Sequence, residues 1–125
     1  MIPDYQTLML PLLKSVSDGN EYKFSDVVST LADQFNLTEE ERNELLPSGT
    51  AFLFSNRVGW ARTYLKKAGL LEAPRRGFMQ ISDRGKQTLS ENLSEITVQY
   101  LGKFPEFIQF KLAKDEPTES STNDI

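Results

Sequence analysis

A mainly α fold of the α+β class is predicted by three features of the sequence. Apolar residues recur every three or four positions over most of the first 93 residues, which is the spacing of amphipathic helices. Turn residues at 74–77 separate two short apolar runs, a pattern typical of a β-hairpin. The 125 residues, of which 38% are hydrophobic and 26% charged, suffice for one packed domain and a tail.

Two helices joined by a short extended piece open the chain. Asp4 is the predicted N-cap of the first helix, and Pro11 inside it predicts a kink or a late start. Residues 22–24 are predicted to be extended. Ser25 is the predicted N-cap of a second helix, whose core face comprises Val27, Val28, Leu31 and Phe35.

Two further helices precede the hairpin. Residues 38–41, TEEE, have the spacing of a capping box and predict a short third helix that ends near Leu46. Ser55 is the predicted N-cap of a fourth helix, which continues through Ala68 and stops at Gly69.

A β-hairpin and a fifth helix follow. Residues 70–73 and 78–81 are the predicted strands, joined by the turn PRRG at 74–77, and Ser82 caps a helix that reaches Leu93. Helix, short strand, helix, helix and hairpin is the element order of a winged helix-turn-helix. The predicted fold is therefore a winged helix-turn-helix with a β-hairpin wing and an extra C-terminal helical segment.

Three parts are expected along the chain. Residues 1–93 form the winged-helix domain. The aromatic-rich residues 94–112 are predicted to be a helical extension that packs on this domain or mediates docking. Residues 113–125, rich in Asp, Glu, Ser and Thr, are predicted to be a flexible acidic tail or linker.

Charge is distributed unevenly along the chain. Residues 51–90 carry eight basic and two acidic side chains, a local charge of +6, although the whole chain has a net charge of -4. The segments before and after it sum to -6 and -4. A basic segment within an acidic protein predicts a polyanion as the partner of that segment alone.

Cysteine and histidine are both absent. Their absence excludes disulfides, zinc sites that use these residues, and Ser-His or Cys-His catalytic pairs, so no metal and no cofactor are expected. The chain has no basic N-terminal signal segment, and no apolar run approaches the roughly 18 residues of a membrane span. No membrane partner and a cytoplasmic location are therefore expected.

The fourth helix has two different faces on a helical wheel. Its apolar stripe comprises Val58, Ala61, Leu65 and Ala68. The opposite face is predicted to present Asn56, Gly59, Thr63, Lys66 and Lys67, with Arg57 and Arg62 at its edges. Amide and hydroxyl groups suit base edges and lysines suit phosphates, which favours a helix that reads DNA. The alternative is a solvated helix whose basic residues confer only solubility.

The predicted wing adds further cations. Arg75 and Arg76 lie at the hairpin tip, where two guanidinium groups can reach backbone phosphates or a minor groove, and Arg84 and Lys86 add phosphate contacts. If about six phosphates are neutralised, the slope of log K against log salt is about -5. The aromatic rings of the fourth helix, Trp60 and Tyr64, are predicted to pack in the core rather than to stack on bases.

One stretch of the sequence resembles the N-terminal domain of Mrr-type restriction proteins, which are modification-dependent type IV restriction endonucleases. The resemblance lies in FSNRVGWA at 54–61, YLKKAGLL at 64–71 and RGF at 76–78. The resemblance covers about residues 1–90. It implies a DNA-binding winged-helix module that positions a separate nuclease domain on double-stranded DNA, methylated or not. The full-length relative would be a restriction endonuclease. This chain is expected to lack the nuclease domain and not to be an enzyme, and to be a fragment, a fused domain cut from its partner or a stand-alone relative.

Other functions remain open at this point. A protein-interaction or dimerisation winged helix would use residues 104–112, and a stand-alone transcriptional regulator is a further alternative. Asp4 followed by Glu21 and Lys23 formally matches a nuclease metal site, although Asp4 is already the predicted cap of a helix. The expected partners are double-stranded DNA and a nuclease domain in cis or in trans, with a homodimer as the alternative.

Overall fold

A computed structural model describes residues 1–113, with only the backbone of Ala113 at the end of the last helix. The tail predicted at 113–125 therefore lies, apart from that backbone, outside the described residues. Seven helices and three short strands make up this part of the chain: α1 Tyr5–Ser15, β1 Tyr22–Lys23, α2 Phe24–Gln34, α3 Glu39–Arg42, α4 Leu53–Lys67, β2 Leu71–Glu72, β3 Phe78–Ile81, α5 Asp83–Ser90, α6 Val98–Leu101 and α7 Pro105–Ala113.

The core is built where α1 packs against α4. Helix α1 contributes Leu8, Met9, Leu12 and Leu13, and α4 contributes Val58, Ala61, Tyr64 and Leu65, all without exposed surface. Asp4 caps α1 as predicted, since its carboxylate accepts a hydrogen bond of 2.7 Å from the Thr7 amide. The helix then runs unbroken through Pro11, so the late start is not observed.

Several helix boundaries differ from the predicted ones because the backbone bonds elsewhere. The N-cap of α2 is Lys23 and not Ser25, since the Phe24 amide continues the sheet by donating to Gly77 O at 2.8 Å. The N-cap of α4 is Phe52 and not Ser55, because Leu53 N bonds to the carbonyl of residue 44. The predicted capping box at Thr38 is confirmed, although α3 already ends at Arg42.

The three strands form an antiparallel sheet in the order β1-β3-β2. In the register between β1 and β3, Tyr22 lies opposite Met79 and Lys23 lies opposite Phe78. Strands β2 and β3 form the wing, whose tip at residues 73–77 is exposed. The mainly α, α+β fold with a winged-helix-like arrangement is thus confirmed.

The C-terminal helices pack beside α4. The ring of Tyr64 contacts Phe107 and Phe110 edge-on, with centroid distances of 5.4 and 5.5 Å. Phe107 and Leu101 are buried, and Tyr64 itself has no exposed surface. The prediction that Tyr64 belongs to the core is therefore confirmed.

Within the described part of the chain, no helix has the length and apolar character that crossing a membrane requires.

The close approach of α5 to the loop before β2 gives a test of the packing. A Cβ added at Gly85 would lie 2.3 Å from Leu70 O and 2.7 Å from Ile81 Cγ1. Gly85→Ala is therefore expected to lower the free energy of unfolding by about 1–3 kcal/mol, measured by urea denaturation. The control Gln87→Ala, on the exposed side of α5, should change it by less than about 0.5 kcal/mol. An unchanged midpoint for Gly85→Ala would contradict this packing.

Candidate nucleic-acid interface

A cleft of about 700 Å³ lies between α4 and the wing, with the first residue of α2 at its edge. We call it the basic cleft, because four basic residues and only one acidic residue line it. These residues are Arg62, Lys66, Arg75, Arg76 and Glu72. Two elements supply the cations, since Arg62 and Lys66 lie one turn apart on α4 and both other arginines lie in the wing turn. Six of the eleven residues predicted to bind DNA thus line one concave surface, and four of these six are cations.

The cations from α4 are held close to one another. The Arg62 guanidinium lies 4.5 Å above the Phe24 ring, and burial lowers the pKa of Arg62. The pKa of Lys66 lies below its usual range, chiefly because its amine is partly desolvated and then because Arg62 and Lys67 repel its charge. An anion in the basic cleft would relieve this repulsion.

The two wing arginines are held differently. The Arg75 guanidinium lies 3.9 Å above the Phe78 ring, and its Nε donates to the Glu21 carboxylate at 3.1 Å. Arg76 is exposed and forms no ion pair with any residue in the described part of the chain. Arg75 is therefore held against the wing, whereas Arg76 projects from the tip.

Three small or polar residues of α4 are not exposed as predicted. Asn56, Gly59 and Thr63 are all buried. Asn56 and Gly59 nevertheless line the cleft, at its floor rather than on a protruding helix face. Thr63 does not line it, and its hydroxyl has no hydrogen-bond partner among residues 1–113. The helical wheel predicted exposed side chains at these positions because it considers α4 alone. In the structure, neighbouring elements cover both flanks of α4.

Three further predicted contacts lie outside the cleft. The Lys67 amine lies 5.7 Å from the Phe110 ring and thus faces α7. Arg84 donates to Ala68 O at 2.8 Å and to the Glu106 carboxylate at 3.0 Å, so it connects α5 to α4 and α7. Lys86 is exposed on α5 but is not part of the cleft wall.

Arg57 also has a structural position. Its guanidinium donates to the carbonyl oxygens of Ile2 and Pro3, at 3.0 and 3.2 Å. These bonds hold the N-terminal segment to α4. The side chain does not line the basic cleft.

Two aromatic residues of the cleft were missed by the sequence analysis. Phe24 and Phe78 support Arg62 and Arg75, and only the pairing of β1 with β3 places the two rings in the same wall. The sequence signal that could have indicated Phe78 is its position directly after the basic turn. Phe24 lies more than thirty residues from either arginine of α4, and no local signal indicates it.

The carboxylates of the formal nuclease pattern have other partners. Asp4 caps α1, and Glu21 pairs with Arg75. No group of three or more acidic side chains within residues 1–113 is arranged to hold a metal ion.

Because Arg57 joins two segments by charged hydrogen bonds, we expect Arg57→Ala to lower the free energy of unfolding by roughly 1.5–3 kcal/mol. Urea denaturation measures this change. The matched control is Arg76→Ala, which removes an exposed arginine of the cleft and should leave stability within about 0.5 kcal/mol. Equal stability of both variants would contradict the anchoring position of Arg57.

Comparison with known proteins identifies the family. A family profile described as Mrr N-terminal domain matches residues 5–91. The chain is also 28% identical over 99 residues to the type IV methyl-directed restriction enzyme EcoKMrr of Escherichia coli (strain K12), across 78% of this chain and 32% of that protein. It thus spans about a third of the length of this relative. No solved structure matches the chain significantly. Because the profile covers well over half of the residues, the chain belongs to the Mrr N-terminal domain family.

Proposed function

We propose that this chain is a DNA-binding module of a restriction-system protein and that its basic cleft binds the phosphate backbone of double-stranded DNA. The observation that carries the proposal is the convergence of four cations from α4 and the wing on one concave surface. The chain as a whole is acidic, with a net charge of -4, so this surface is the part suited to a polyanion.

The stacked arrangement of the arginines supports phosphate binding. A guanidinium group held over an aromatic ring can still donate through its N–H groups to phosphate oxygens. Phe24 and Phe78 hold Arg62 and Arg75 in this way. Less side-chain entropy is then lost on binding, because two of the four cations are already positioned.

The number of cations in the cleft sets the expected salt dependence. With Lys67, Arg84 and Lys86 outside the cleft lining, four cations remain for phosphate contacts. Four neutralised phosphates give a slope of log K against log salt of about -3.6, shallower than the value expected from six. Contacts of this kind hold DNA without selecting its sequence.

We further propose that the module positions a nuclease domain, in cis or in trans, on DNA. The relative in Escherichia coli is named a methyl-directed restriction enzyme and is about three times as long as the region aligned with this chain. An exposed apolar pair on α7 supports a second role as a docking surface. Ile108 and Leu112, one turn apart, are 44% and 79% exposed, although α7 packs its phenylalanines inward.

Removing both wing arginines tests the interface. Arg75→Ala with Arg76→Ala should weaken binding on the order of tenfold at about 0.1 M salt, similarly for all sequences, and make the salt slope shallower by about 1.8. Fluorescence anisotropy with labelled duplexes of different sequence measures both quantities. The matched control removes two cations outside the cleft, Lys14→Ala with Lys103→Ala, and should keep the slope. An equal loss in both double variants would mean that net charge alone, and not the cleft, accounts for binding.

The low pKa of Lys66 predicts an alkaline loss of affinity. As pH rises, Lys66 loses its proton before an ordinary lysine does, so one phosphate-binding charge disappears first. DNA affinity should therefore fall on the alkaline side of neutrality, before ordinary lysines lose their protons, when followed by anisotropy at constant ionic strength. Lys66→Arg should reduce this fall because a guanidinium stays protonated, whereas Lys67→Arg should not. An unchanged fall in Lys66→Arg would contradict a contact between Lys66 and phosphate.

A further inference from the structure

Asn56 has an unusual position for an amide side chain. It is only 6% exposed, it lines the floor of the basic cleft, and its side chain forms no hydrogen bond with any described residue. Its amide atoms are not among the fully buried side-chain atoms that have no partner, so they keep some contact with the cleft, where an amide can both donate and accept a hydrogen bond. Asn56 therefore has one donor group and one acceptor group available to whatever enters the cleft.

The space beside Asn56 suits a planar, partly apolar group. Gly59, one turn later on α4, lines the same floor and has no side chain to fill it. The aromatic residues Phe24 and Phe78 line the cleft as well, while Arg62, Lys66, Arg75 and Arg76 provide positive charge. The cleft volume of about 700 Å³ falls within the roughly 300–1,000 Å³ that is typical of small-molecule sites.

A ligand for this cleft combines an anionic group, a planar apolar face and an edge with an adjacent donor and acceptor. We propose that the basic cleft takes a single nucleoside monophosphate unit, whose phosphate binds the cations and whose base edge bonds to the Asn56 amide. Asparagine forms paired hydrogen bonds with base edges of this kind. The inference rests on the proposed function. It specifies the unit of the nucleic acid that the cleft recognises.

Such a unit has two sources, a free nucleotide or a nucleotide turned out of a duplex. A stacked and paired base presents only its groove edge, and a side chain at the floor of a cleft does not protrude to meet it. A base that leaves the stack carries its own phosphate with it and can enter a cleft. The extruded nucleotide is therefore the source that this geometry favours.

The first experiment compares three ligands with the whole chain by fluorescence anisotropy and 2-aminopurine emission. The ligands are a matched duplex, the same duplex with 2-aminopurine at one mismatched position, and free deoxynucleoside 5′-monophosphates. Since a mismatch lowers the energy needed to extrude a base, we expect at least about tenfold tighter binding than to the matched duplex, together with a rise in 2-aminopurine emission.

Variants of Asn56 separate base recognition from phosphate binding. Asn56→Leu keeps the approximate size but has no hydrogen-bonding group, and should lose the mismatch preference while keeping the affinity for matched DNA within about twofold. Asn56→Ala serves as a second variant, and urea denaturation verifies that each is folded. The control is Ser55→Ala, the neighbouring residue in the cleft lining, which should retain the preference.

The outcomes distinguish this inference from the proposed function. If matched DNA binds with the expected salt slope but mismatched DNA has no advantage and free nucleotides do not bind, the nucleotide site is refuted and the DNA-binding function stands. A mismatch preference that persists in both Asn56 variants also refutes it, because duplex flexibility then explains the preference. Asn56-dependent binding of free nucleotides without extrusion identifies the free nucleotide as the source. No binding of any DNA at low salt refutes the proposed function itself.

Discussion

The pairing of β1 with β3 is the constraint on which the basic cleft depends. Because Lys23 lies opposite Phe78 and the Phe24 amide bonds to Gly77, the start of α2 is fixed against the wing. This register places the Phe24 ring beneath Arg62 and brings Glu21 within 3.1 Å of Arg75. A strand of only two residues therefore connects the N-terminal half of the chain to the wall of the cleft, and a shift of one residue would reverse which side chains face it.

Three sides of helix α4 contact different parts of the molecule. One side packs on α1 in the core, a second lines the basic cleft, and a third meets α7 through Tyr64 and Lys67. This explains why so few of its side chains are exposed, although its composition is that of a solvated helix. The cations and the buried amide of Asn56 are therefore lining residues of the same cleft that differ in exposure.

Arginine has several different functions in this molecule, and the environment of each guanidinium determines which. Arg57 and Arg84 donate to backbone carbonyls and thereby join segments that are distant in sequence. Arg62 and Arg75 are stacked on aromatic rings within the cleft, and Arg76 extends from the turn. A guanidinium has five N–H donors and a long stem, so the same residue type can serve as an internal connector or as a contact for a phosphate. Counting basic residues along the chain therefore overestimates the positive charge of the cleft.

Local patterns in the sequence determined the element order, the caps at Asp4, Thr38 and Ser82, the wing and the position of the positive charge. These features depend on neighbours within a few residues, and such interactions can be read from spacing alone. The tertiary structure decided which cations share the cleft, why Asn56 is buried, and that Phe24 and Phe78 support the arginines. Those properties depend on contacts between residues that are far apart in the chain, because burial and electrostatic environment are set by whatever packs against a side chain rather than by its own helix.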